Sequence, residues 1–374
     1  MDLNQPLPLL GGLSAARFMR RHWQKRPLLV RQALPGIAAP LSRKALFALA
    51  AAQGVESRLV QRRGDAWTLR HGPLPRRALP PLGQPGWTLL VQGLDLHVQA
   101  AHDLLSLFDF MPSARLDDLM LSYASDGGGV GPHVDSYDVF LLQVQGRRRW
   151  RVGRSSDRRF VDGLPLKILR RFEPRHDWLL EPGDMLYLPP LWAHDGVAEG
   201  GDCMTASIGF RAPARAELAR ELLARMSEDV EPGSNEVLYR DTGQPATDHP
   251  GEIPAALQQF AAQALQRALL DPLALPRALG EWLSEPKPQV WFEPPPCPAR
   301  LRGALRLDRR TRMLYDARHV FVNGESFSVS GRDARLLRQL ADRRRLEPAA
   351  VARLSTQARE TMAEWLAAGW LEVD

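Results

Sequence analysis

His133 and Asp135 stand two apart in GGGVGPHVDSYDVF, residues 127–140. On an extended chain side chains alternate with a period of two, so both leave the same face, their Cα atoms roughly 6.5 Å apart. An imidazole and a carboxylate so placed can converge on one ion at bond lengths of about 2.0–2.2 Å. A third ligand has to come from elsewhere. His194 is the candidate, in DMLYLPPLWAHDGV (184–197), after a strand-like run and a proline turn. That setting suits a residue delivered from the opposite side of a barrel. Two histidines and one carboxylate make a facial triad that leaves positions open on iron(II), while zinc accepts the same ligand types and competes. No catalytic residue is expected beyond this metal centre. The other seven of nine histidines (His22, His71, His97, His102, His176, His249 and His319) read as structural or surface residues.

An open-site iron commonly works with a 2-oxo acid that chelates it. The far carboxylate of that acid then needs a fixed cation inside the barrel. GRRRWRV (146–152) offers one by parity. If it is a strand, Arg148, Trp150 and Val152 share one face, and Arg147, Arg149 and Arg151 share the other. The tryptophan–valine face is the interior. Arg148 therefore goes indoors, where an isolated charge is very costly and a bidentate carboxylate partner is expected. The competing reading is a salt bridge to a carboxylate of the protein itself.

Many short apolar stretches have to position these residues: WTLLVQGLDL (87–96), DLMLSYA (118–124), DVFLLQVQG (138–146), RRWRVG (148–153), DMLYLPP (184–190) and CMTASIGF (203–210). Glycine, proline or aspartate clusters separate them, which predicts an all-β barrel or sandwich, not βαβ units. Residues 14–32 read as a short helix leading into a strand around Pro27 to Val30, and 43–53 read as helical. Past Pro213 the period changes. Leu218, Leu222, Met226 and Val230 form one helical stripe, and Leu257, Ala261, Leu265 and Leu269 a second. Six prolines in 285–300 read as a stiff linker. Strand-like LRLD and HVFVNGESFSVS, turning at Asn323-Gly324, then precede two helical segments and a terminal WLEVD, a small module of winged-helix type. The expected domains are 1–212, 213–284 and 285–374.

The 374 residues are enough for two or three such domains, and 44% apolar with 25% charged residues excludes a fibrous or disordered chain. The formal charge of +6 is carried by arginine, with lysine only at Lys25, Lys44, Lys167 and Lys287. Composition bias explains this as simply as contact with nucleic acid or a ribonucleoprotein. Two cysteines, Cys203 and Cys297, argue against a disulfide framework. No secretory signal and no membrane span is visible, so a reducing cytoplasm is the expected location.

The chain resembles the JmjC-type ribosomal oxygenases, in particular the bacterial ribosomal-protein arginine hydroxylases. The stretches that carry the resemblance are WQKRPLLV (23–30), DDLMLSYASDGGGVGPHVDSYDVFLLQVQGRRRW (117–150), EPGDMLYLPPLWAHDGVA (181–198) and TASIGFRAP (205–213). The resemblance implies a double-stranded β-helix of the jelly-roll or cupin kind, a helical dimerisation region and a winged-helix-like C-terminal domain. It implies Fe(II) on His133, Asp135 and His194, with 2-oxoglutarate and O2 as co-substrates and Arg148 on the distal carboxylate. It also implies hydroxylation of an arginine at its β-carbon in a large-subunit ribosomal protein, by a homodimer. For such a substrate, carboxylates or an aromatic face are needed at the cavity mouth. Asp126 and Tyr137 are the candidates, and Asp138 beside them reads as a turn aspartate. Ser207, on the strand after His194, is a candidate hydrogen-bond partner for 2-oxoglutarate. Alternatives are a histidyl hydroxylase, a cupin metal protein without oxygenase activity, and a DNA-binding regulator. The last is disfavoured, because the final helix carries Glu360 and Glu364 and little base after Arg359.

Overall fold

The computed structural model describes residues 2–155, 157–228, 237–242, 244–246, 249, 251–269, 271–295, 301 and 303–373. Val230 and Cys297 lie outside them. The chain divides into two units, Met1–Ala212 with Gln289–Trp291 and Pro213–Pro288 with Phe292–Asp374.

The first unit contains α1 (Ala15–Arg21), β1 (Leu28–Val30), α2 (Arg43–Ala50), β2 (Ser57–Arg63), β3 (Ala66–His71), β4 (Trp87–Val91), α3 (Leu94–His97), α4 (Gln99–Ser106), β5 (Leu116–Ala124), β6 (Asp138–Arg154), β7 (His176–Leu180), β8 (Met185–Leu188) and β9 (Trp192–Phe210). Ser14 and Ser42 cap α1 and α2 by accepting from Arg17 N and Ala45 N. The strands pair antiparallel in the order β1-β8-β6-β9-β5-β4-β2-β3, with β7 on the far half of β6.

Two strands make the jelly roll. The first half of β6, from Asp138, pairs with β9 residues up to Phe210, and the second half, from Arg147, pairs with the start of β9 at Trp192–Glu199. The register slips between Gln143 and Arg147. Gly146 sits in that corner at φ 64°, where a Cβ would fall 2.9 Å from the Asp202 carbonyl oxygen. Both long strands thus run on past the corner into a second arm of the sheet, where β7 pairs with β6. This is why DVFLLQVQG and RRWRVG, which look like two strands, form one.

The apolar run Val139–Leu142 has no polar face because both sides are buried. Phe140 and Leu142 join the outer core with Phe18, Phe108, Tyr187 and Phe210, whereas Val139 and Leu141 face inward with Trp150 and Leu186. WTLLVQGLDL is a strand only to Val91. Gly93, at φ 60°, turns the chain into α3. The β2–β3 hairpin escapes the apolar pattern because SRLVQRRGDAWTLRH is rich in arginine.

Asp138 is fully buried on the outer side of β6. It accepts from Tyr187 Oη (2.6 Å), Gln24 Nε2 (3.1 Å) and Arg115 Nη2 (3.2 Å), so it ties the turn after α1 and the β5 entry to the sheet. Asp138→Ala strands these donors without an acceptor. The expected loss is about 3 kcal/mol of stability, read in the thermal midpoint, with metal binding unchanged. Equal midpoints would reject this account of the network.

The second unit holds α5 (Arg215–Glu228), α6 (Ala255–Ala268), α7 (Ala274–Ser284), β10 (Leu305–Leu307), β11 (Met313–Tyr315), β12 (His319–Val322), β13 (Glu325–Ser328), α8 (Gly331–Arg343), β14 (Arg345–Leu346), α9 (Pro348–Val351), α10 (Thr356–Ala367) and β15 (Leu371–Val373). Leu218, Leu222 and Met226 form a half-buried stripe on α5, whereas Leu257 and Leu265 on α6 and Leu269 just beyond it are exposed. β12 and β13 join through Asn323-Gly324, both at positive φ, as a two-residue hairpin loop requires. Their core is Leu305, Val320, Leu337, Leu340, Met362 and Trp365. The exposed face of α10 includes Glu360 and Glu364. Among the described residues no helix is long and apolar enough to cross a membrane.

Candidate metal centre

His133 is not on a regular strand. The glycine run and Pro132 keep the segment from laddering, and His133 forms an isolated bridge with His194 through two backbone hydrogen bonds of 3.0 and 2.9 Å. Gly129 permits the close approach, since a Cβ there would lie 2.6 Å from the Gly196 carbonyl oxygen. The two histidines are therefore direct neighbours across a bridge, not residues from opposite walls. Asp135 is tied to the proline turn by its carbonyl, which accepts from Leu191 N at 2.8 Å.

The ligand atoms of His133, Asp135 and His194 all lie within 4.8 Å of one another. His133 Nε2 is 3.8 Å from Asp135 Oδ1, and His194 Nε2 is 3.5 Å from Asp135 Oδ2. Each ring is held from behind, with His133 Nδ1 donating to the Gly131 carbonyl (2.8 Å) and His194 Nδ1 to the Trp192 carbonyl (2.9 Å). That fixes the tautomer and turns both Nε2 lone pairs toward Asp135, the arrangement a divalent metal needs. Burial, helped by neighbouring His133, pushes the His194 imidazole down to about 4, so it stays neutral near pH 7 and free to ligate.

The triad opens into a cavity of about 370 Å³. Arg148, only 5% exposed, lines it. Its Nε and Nη2 are buried without a hydrogen-bond partner, and its Cζ lies 5.7 Å from the Trp150 ring. The parity of GRRRWRV holds in the burial pattern. Arg149 on the other face pairs with Glu199 and Asp177, and Arg151 with Asp195, so these two arginines are neutralised by the protein itself. A buried guanidinium with idle donors, beside two imidazoles and a carboxylate, fits a chelated dicarboxylate.

Ser207 and Tyr137 also line the cavity, Ser207 on β9 opposite Leu141 and Tyr137 at the rim, 38% exposed. Burial first, then the charges of Asp135 and Asp118, push the Tyr137 hydroxyl up, so it remains protonated. Asp126 does not line the cavity. It is an exposed turn residue whose Oδ1 accepts from Gly200 N at 2.8 Å. Asp138 points the other way, into the network described above. Sequence reasoning missed Arg58, Thr88, Met120, Ser122 and Lys167 on the cavity wall. Inward parity on β4 and β5 would have revealed Thr88, Met120 and Ser122.

Among curated proteins, the chain is 34% identical over 330 residues to ribosomal protein uL16 3-hydroxylase of Escherichia coli (strain K12), covering 85% of this chain and 86% of the relative. The chain belongs to the ribosomal oxygenase family of JmjC proteins. The JmjC domain family matches residues 103–218, which include all three triad residues, Arg148 and Ser207, and a ROXA-like winged helix matches 259–372. The solved ribosomal oxygenase YcfD of E. coli superimposes with a TM-score of 0.84 at 31% identity, over 96% of this chain and 98% of that one. A second YcfD structure, in complex with cobalt and 2-oxoglutarate, gives a TM-score of 0.81 at 31% identity, with the same coverage.

Proposed function

We propose that this ribosomal oxygenase is an Fe(II)- and 2-oxoglutarate-dependent hydroxylase that acts on the β-carbon of an arginine in the large-subunit ribosomal protein uL16. The observation that carries the reading is the idle, buried Arg148 guanidinium in the cavity of the histidine–aspartate–histidine cluster. Family membership, with a uL16 3-hydroxylase at 34% identity, supports the substrate.

His133, Asp135 and His194 would hold the iron, and the Asp135 carboxylate offsets one of its two charges. Arg148 would fix the distal carboxylate of 2-oxoglutarate, so that the co-substrate has one orientation and no entropy is lost at the moment of reaction. Ser207 supplies a hydroxyl for the same molecule. Leu90, Val139, Leu141 and Trp150 form apolar wall that keeps water from the reacting centre. Tyr137 at the rim offers an aromatic face to an entering guanidinium. Ferrous iron with 2-oxoglutarate and O2 supplies the oxidising power to hydroxylate an unactivated C–H bond, chemistry no side chain performs. The buried Arg148 guanidinium, beside the one lining carboxylate at Asp135, suits a doubly negative co-substrate.

The domain reading assigns 213–284 to pairing of two copies. Exposed Leu223, Leu257, Leu265 and Leu269 give α5, α6 and the turn beyond α6 apolar surface that a partner copy would cover. A ribosomal substrate supports a cytoplasmic location. Intact-mass spectrometry of ribosomal proteins from cells with and without the gene tests the function. One extra oxygen on uL16, lost with the gene, is the expected result; identical masses would reject the substrate.

A further inference from the structure

Arg58 lies on β2, with Leu59 beside it in the outer core and Val60 beyond it on the cavity wall. By alternation Arg58 points inward with Val60, and it does line the cavity. Its Nε is buried with no hydrogen-bond partner in the structure. Its cross-strand neighbours are Leu90 on β4 and His71 on β3. A buried donor left idle is costly, so such a group persists where something that binds supplies the acceptor.

The co-substrate is not that acceptor. Arg148 stands on β6 in register with Ala198, four residues along β9 from His194. Arg58 stands on another wall, with β5 and β4 between its strand and β9. A five-carbon diacid held at the triad and at Arg148 has both of its carboxylates engaged, so neither is left for Arg58. The substrate's reacting side chain is not the acceptor either. It is a cation, and a like charge keeps it off this wall. What every polypeptide brings, whatever its side chains, is a row of main-chain carbonyl oxygens.

We propose that Arg58 binds the polypeptide substrate, donating hydrogen bonds to main-chain carbonyls of the segment that carries the target side chain to the triad. The proposal rests on the hydroxylase reading above and adds a residue that selects for a peptide over a free amino acid. Arg58 holds the backbone on the β2 wall.

The test uses the full chain loaded with iron(II) and 2-oxoglutarate without oxygen, so that binding is read without turnover. A fluorescent synthetic peptide spanning the target arginine of uL16 is titrated by anisotropy. Arg58→Met, which keeps the stem and removes the donors, should weaken peptide binding roughly tenfold to 100-fold. Arg58→Lys should recover part of the loss. With oxygen admitted, the KM for peptide should rise while that for 2-oxoglutarate changes less than twofold. The thermal midpoint of the methionine variant should not fall, because an idle buried donor has been removed; a fall would show a structural role and overturn the proposal. Equal peptide binding by wild type and Arg58→Met, or a rise confined to the KM for 2-oxoglutarate, would overturn it as well. If wild type binds 2-oxoglutarate but no peptide, the uL16 reading fails and this inference falls with it.

Discussion

His133→Ala is expected to abolish hydroxylation and to release the metal while the fold survives. His133 supplies one of three protein ligands, and the two that remain hold a divalent ion far more weakly. Loss of a mere supporting partner already costs about 10–100-fold in affinity, and loss of a ligand costs more. The fold should persist for a specific reason. What joins residue 133 to β9 is its backbone, through the paired hydrogen bonds with His194, and alanine keeps both. The imidazole side chain is 24% exposed, so its removal opens the cavity wall instead of emptying the core. Calorimetric titration with iron(II) under anaerobic conditions, beside circular dichroism, checks both halves. A variant that retains wild-type turnover would end the triad assignment.

Arg148→Met should raise the KM for 2-oxoglutarate by roughly 100-fold, since a bidentate, charge-assisted pair is lost. Stability decides between the two readings of this residue. A guanidinium bonded to a protein carboxylate would leave that carboxylate buried and alone when removed, lowering the midpoint sharply. Nε and Nη2 of Arg148 have no such partner, so the methionine variant should be as stable as wild type or more so. A large fall in midpoint with unchanged KM would make Arg148 a structural residue and remove the main support for the hydroxylase reading.

How far these residues were legible in the sequence follows from what each depends on. His133, Asp135 and His194 could be read because metal chemistry restricts residue type and spacing together. Arg148 could be read because Trp150 and Val152 mark which side of its strand is dry. The bridge between His133 and His194 could not, since a proline and a glycine run leave no periodicity to follow. Arg58 was hidden for a related reason. Its strand contains arginines at 58, 62 and 63, so alternation in hydropathy, the main sign of a strand, is absent where β2 passes the cavity. Asp126 stands close to the metal segment in sequence, but it is exposed outside the cavity lining, with Oδ1 bonded to Gly200 N. Helix α3 is hidden behind a glycine inside an apparently continuous apolar run.

The corner where β6 and β9 bend together decides how the enzyme treats its metal. Because the segment that presents His194 is the continuation of a strand already locked in the large sheet, the donor set is assembled by the polypeptide before any ion arrives. Iron can therefore leave and return without the chain refolding, unlike a zinc finger, whose fold is made by its ion.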